Sequence, residues 1–156
     1  MSIDEEITFL ERIPLLGILG RAALRVIAIG SETRTIGAGE VLFAAGEPAD
    51  AAYVVQQGAF SLLPDNADDE SQELKAGRGM LLGEMALMVE NRRPATATAL
   101  ESSTVVRISR NLFLKMLDGY PDAARRLRDS LMARSDRMAR DLGGVGAAFG
   151  RIDKEP

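Results

Sequence analysis

The sequence predicts an α+β fold: an antiparallel β-barrel or jelly roll, short helices before it, one short helix embedded between its strands, and two helices after it. Three observations predict this. From Thr33 onward helical spacing is lost, and short apolar runs are divided by Gly37, Gly39, Gly46 and Gly58. Short strands at regular spacing with turn residues between them indicate a barrel or sandwich. After Ser109 the apolar spacing returns to that of a helix.

The elements follow in order. Ser2 and Glu5 have capping-box spacing, and Ile7, Leu10 and Ile13 follow at helical intervals until Pro14. Leu15 to Ile29 is apolar but broken by glycine, so the N-terminal region reads as short helices rather than one long one. Residues 33–109 read as about eight short strands. Within them "PDNADDE", Pro64 to Glu70, is a solvated acidic loop. "QELKAG" and "GMLL" read as strands, and "PATATALE" with "STVVRIS" as a hairpin. Ser109 is a helix N-cap for "RNLFLKMLDG", Gly119 stops that helix, and Pro121 opens the last one. Leu127, Leu131, Met138 and Leu142 share one face of this long helix. The reading is one domain over 1–142, with the barrel at 33–109, the last helices at 110–142, and a flexible glycine-rich tail at 143–156.

Composition removes whole classes of chemistry. The 156 residues include no cysteine and no histidine. Disulfides, thiolates, histidine bases and zinc sites are therefore out, no metal site is expected, and an enzyme is not expected. The net charge of −4 argues against a direct nucleic-acid partner. The N-terminus is acidic and lacks a basic leader, and no apolar run reaches the roughly 18 residues of a membrane span. A cytoplasmic protein is expected.

One stretch carries chemistry: "LGEMALMVENRRPATATA", Leu82 to Ala99. Gly83 lets the backbone turn tightly and approach a ligand. Glu84, Met85 and Ala86 open a short helix, whose first amides have no internal partner and favour an anion. An arginine returning from Arg92 or Arg93 would complete a phosphate clamp, because guanidinium matches phosphate oxygens in a planar fork. Glu84 accepts hydrogen bonds only, so it fits a ligand that offers hydroxyl donors beside its phosphate. A phosphorylated ribose has that chemistry.

"GEMALM…RRPATATA" closely resembles the phosphate-binding cassette of cyclic nucleotide-binding domains. "FLERIPLL", "GEVLFAAGEPADAAYVVQQGAFSLL" and "SRNLFLKML" resemble the first helix, the barrel and the following helix of that family, so the likeness covers about Phe9 to Arg140. The resemblance implies a double-stranded β-helix fold and cyclic nucleotide binding. Arg93 is the register match for the phosphate arginine, and a one-residue slip would exchange it with Arg92. By the same likeness Met85 and Ala86 supply phosphate amides, Glu84 accepts the ribose 2′-hydroxyl, Ala95 leaves room for the ligand, and Thr96 helps hold the cassette. Leu82 stands where the family usually has Phe. Pro94 stands where members that favour cGMP often carry a hydroxyl, so the resemblance implies cAMP rather than cGMP. The last helix matches the family's lid, with Leu131, Met132, Arg134, Ser135 and Met138 as candidates to cover the base; Arg134 could stack on a purine.

Bacterial transcription factors of the family continue into a helix-turn-helix domain, and only residues 143–156 follow Leu142 here. The expectation is therefore a stand-alone cAMP sensor acting on an unidentified protein partner, as a monomer or as a homodimer through the last helix. The alternative is a scaffold of the same fold with a lost or altered ligand.

Overall fold

The computed structural model describes residues 2–141, except the side chains of Glu70 and of residues 135–141. The expected tail and Leu142 lie outside the described residues, as do the side chains of Ser135 and Met138.

The chain opens with α1 (Ile3–Glu11). Its cap forms as the spacing predicts: the Glu5 amide donates to Ser2 Oγ at 3.2 Å, and Ser2 Oγ donates to Glu5 Oε1 at 3.2 Å. A 3-10 turn (Gly17–Leu19) leads to α2 (Arg21–Gly30). Gly20 separates them at φ +88°, a left-handed backbone that ends one helix and redirects the next.

Ten strands follow among the described residues. One sheet has the order β1 (Glu32–Ile36), β10 (Ser103–Ser109), β4 (Ala51–Gln57), β7 (Leu81–Leu82). The second has the order β2 (Val41–Phe43), β9 (Ala95–Ala99), β5 (Ala59–Pro64), β6 (Leu74–Gly77). A short ribbon joins β3 (Pro48–Ala49) to β8 (Asn91–Arg92). All the pairings are antiparallel. The strands make two facing sheets of a jelly roll and do not close into a barrel.

One sequence expectation fails here. "PATATALE" and "STVVRIS" are not a hairpin: β9 pairs with β2 and β5, whereas β10 pairs with β1 and β4. The chain changes sheet between them. Alternating apolar residues mark a strand and its buried face, but they do not name its partner.

The two sheets enclose one core. Tyr53, Val55, Leu82 and Val105 of the first sheet face Phe43, Phe60, Ala97 and Ala99 of the second. The other face of the first sheet, with Ala52, Val54, Val106 and Ile108, packs on the helices and makes a second core. β4 is therefore covered on both faces, and five consecutive residues from Ala51 to Val55 are buried.

Two helices end the described chain, α3 (Arg110–Gly119) and α4 (Pro121–Asp141). Ser109 caps α3 by accepting the Leu112 amide at 3.1 Å. Leu127 is buried in the core between the helices and the first sheet, and Leu131 is half-buried against that core. Arg126 fixes the same seam, donating from Nε to the Ile18 carbonyl at 2.8 Å and from Nη2 to the Leu19 carbonyl at 2.7 Å. No helix among the described residues is long and apolar enough to cross a membrane.

Candidate functional site

The site is built where β7 ends. Gly83 follows Leu82 at φ +74°, and residues Glu84–Leu87 form a 3-10 turn. An L side chain rarely adopts that backbone, and a Cβ at this position would collide with Nη1 of Arg93. Glycine thus does two jobs: it makes the turn and lets a guanidinium approach the main chain.

The turn leaves amides free. The Ala86 amide donates to the Gly83 carbonyl at 3.1 Å, while those of Glu84 and Met85 find no acceptor among the described residues. Both lie at the positive end of the turn. The family resemblance implies Met85 and Ala86 as phosphate amides; here Met85 is free, and Ala86 is turned onto the Gly83 carbonyl.

Arg93 closes the other side. It follows β8, and a turn grips its backbone: the Arg93 amide donates to the Glu47 carbonyl, and the Gly46 amide donates to the Arg93 carbonyl, both at 2.8 Å. Extended backbone sends neighbouring side chains to opposite faces. Arg92 points outward, exposed, and donates to the Gly46 carbonyl at 2.8 Å. Arg93 points inward and is only 5% exposed. Its Nη2 donates to the Ala51 carbonyl at 2.7 Å. Its Nε and Nη1 are buried without a partner among the described residues. Burial holds its pKa below the ordinary arginine value, opposed by the nearby Tyr53, Asp50 and Glu47. A buried cation with two unpaired donors is costly, and it presents an anion with ready hydrogen bonds.

Gly83, Arg93, Pro94 and Ala95 line one cavity of about 180 Å³, walled by Phe43, Leu62 and Met80. Pro94 is exposed at its mouth, where its carbonyl accepts the Asp65 amide at 3.1 Å. Half-buried Glu84 lines a neighbouring pocket of about 220 Å³ together with Arg134, Ile13 and Leu15. Met80 and Leu81 line both spaces and so form the wall between them. The Met85 side chain is exposed and Ala86 is fully buried. Thr96 accepts the Ala45 amide at 2.9 Å, which ties β9 to the turn after β2. Leu131 sits in the helical core rather than at either cavity.

Residues 33–120 match the family described as the cyclic nucleotide-binding domain. The chain belongs to that family. As a cyclic nucleotide-binding domain it is 31% identical over 146 residues to an NTE family protein of Mycobacterium tuberculosis, covering 88% of this chain and 24% of that one. It is 30% identical over 118 residues to a cAMP-dependent protein kinase regulatory subunit of Emericella nidulans, covering 76% of this chain and 28% of the subunit. The chain thus spans about a quarter of the length of these curated relatives. Among solved structures, it resembles a cyclic nucleotide-binding-like protein from Brucella abortus at 32% identity and TM-score 0.64, covering 73% of this chain and 98% of that one. It also resembles the N-terminal domain of a transcriptional regulator from Streptomyces coelicolor at 26% identity and TM-score 0.77, covering 86% and 94%.

One residue of the cassette's surroundings escaped the sequence reading. Arg110, the first residue of α3, sends Nη1 to three carbonyls: Ala49 at 3.0 Å, Ala86 at 3.1 Å and Val89 at 3.1 Å. It holds the cassette from behind and links it to β3 and α3. A signal existed, since a cation in the first turn of a helix opposes the helix dipole and calls for a compensating partner.

Proposed function

We propose that this domain is a cAMP-responsive regulatory module. The observation that carries the reading is the buried guanidinium of Arg93, with two unpaired nitrogens, set against Gly83 beside two free amides. A cyclic phosphate carries one negative charge and oxygens that satisfy both sets of donors. Arg93 and the amides of Glu84 and Met85 would hold it. Glu84 would accept the ribose 2′-hydroxyl, and Ala95 would leave room beside the phosphate. Pro94 offers no hydroxyl and no amide proton to a guanine, which favours adenine. Arg134 would reach the base from α4, with Leu131 moving alongside it. Binding would act by shifting the population of cassette and helix arrangements, and a protein partner would read that shift.

A nucleotide of about 22 non-hydrogen atoms at roughly 0.3 kcal/mol each gives about −7 kcal/mol, a Kd on the order of 10 μM. Titration calorimetry with cAMP, cGMP and 2′-deoxy-cAMP tests the reading. The expected result is micromolar cAMP binding, weaker cGMP, and a loss of about a hundredfold in Arg93→Ala, because truncation leaves the phosphate without its charge-assisted bonds. Glu84→Ala should narrow the gap between cAMP and its 2′-deoxy form. Absence of binding by the unaltered chain would sink the proposal.

A further inference from the structure

Among the described residues the guanidinium of Arg93 makes one hydrogen bond, from Nη2 to the Ala51 carbonyl. One bond leaves rotation about its axis free, yet Nη1 stands against Gly83. Two rings supply the missing restraint. The guanidinium carbon lies 4.3 Å from the centroid of Phe43 and 5.7 Å from that of Tyr53. The rings stack on each other with centroids 6.0 Å apart and planes 29° apart. Phe43 comes from β2 in one sheet and Tyr53 from β4 in the other. Each is 6% exposed, so the contact is desolvated, where a ring face attracts a cation most strongly.

We infer that Phe43 and Tyr53 are positioning residues for the anion site. Their faces carry the charge of Arg93 inside the jelly roll and fix its plane, so that Nε and Nη1 already point where an anion binds. The two sheets thereby share control of one cation, and no reorientation has to accompany binding. The consequence for nucleotide affinity rests on the cyclic-nucleotide reading above; the ring–cation contact itself does not.

Two measurements on the full chain test this. The first is a double-mutant cycle of Phe43→Leu and Arg93→Gln, read by urea unfolding without ligand. Leucine keeps an apolar side chain and removes the ring face; glutamine keeps a planar polar group and removes the charge. The expected result is non-additive: Phe43→Leu lowers the urea midpoint more in the unaltered chain than in Arg93→Gln. Equal shifts would show that the ring is only packing and would overturn the inference. The second is calorimetry with cAMP. Phe43→Leu should weaken binding roughly three- to thirty-fold. Unchanged affinity in Phe43→Leu would equally overturn the positioning role. If the unaltered chain binds no cyclic nucleotide, the functional proposal fails, and the unfolding cycle alone decides whether the rings carry the cation.

Discussion

At the scale of single residues, two positions of the site set stability against binding. Gly83 holds φ +74° with Arg93 pressed against it. Gly83→Ala would place a Cβ in an unfavourable backbone region, costing about 1–2 kcal/mol, and would push the guanidinium aside. We expect a lower urea midpoint and at least tenfold weaker cAMP binding, checked by unfolding and calorimetry on the same preparation. Arg93 predicts the opposite trade. Its charge is buried with two nitrogens unpaired among the described residues. A buried polar group without a partner costs about 1–3 kcal/mol, more when charged, and an apolar residue of similar length removes that cost. Arg93→Met should therefore raise the ligand-free melting temperature while abolishing nucleotide binding. A melting temperature that falls would show that the Ala51 bond and the aromatic rings outweigh the burial cost. Stability given up for function in this way is expected at a binding site.

At the scale of elements, Arg110 joins three pieces that are distant in sequence. Its contacts to Ala49, Ala86 and Val89 are charge-assisted, and leaving those carbonyls unpaired would cost about 1.5–3 kcal/mol. Arg110→Ala should destabilise the domain by that amount and speed hydrogen exchange at the amides of the cassette turn, read by mass spectrometry of peptides spanning Glu84–Glu90. Unchanged exchange there would mean the turn holds itself. What the sequence could and could not disclose divides along the same line. The caps at Ser2 and Ser109 were legible because each needs residues three apart. The glycine-acid turn was legible because residue type and spacing carry its chemistry, whereas spacing left Arg92 and Arg93 open and only the family resemblance favoured Arg93. The partners of β9 and β10 were not, since pairing across sheets depends on where the rest of the chain runs. Nor was the shift of the free amides from Met85 and Ala86 to Glu84 and Met85. An α-helix and a 3-10 turn of four residues share the same sequence requirements, and only the Gly83 carbonyl decides which amide is taken. Helical spacing marked the apolar face of α4 without saying that Leu131 would pack against the core between the helices and the first sheet.

At the scale of the whole molecule, the proposed sensor role requires a site in the jelly roll to act on the helices. α4 has two anchored points, Leu127 in the core and Arg126 on the carbonyls of Ile18 and Leu19. Beyond them the packing thins: Leu131 is half-buried, Met132 is 60% exposed, and Arg134 is exposed beside the pocket that also holds Glu84. The described part of the helix is thus anchored at Arg126 and Leu127 and more exposed from residue 131 to 134. Local opening follows such differences, because a segment with few buried apolar contacts opens at low cost. If α4 covers a bound nucleotide, cAMP should slow hydrogen exchange in residues 131–134 and leave the Leu127 segment, already protected, unchanged. Arg126→Gln should free the anchored end and let that protection spread toward Pro121, without touching Arg93 or Glu84. The comparison needs both proteins with and without saturating cAMP. Protection confined to the cassette, with α4 indifferent to ligand in both, would remove the last helix from the mechanism. The burden of signalling would then rest on Arg110 and α3, the other route by which the cassette reaches the helical layer.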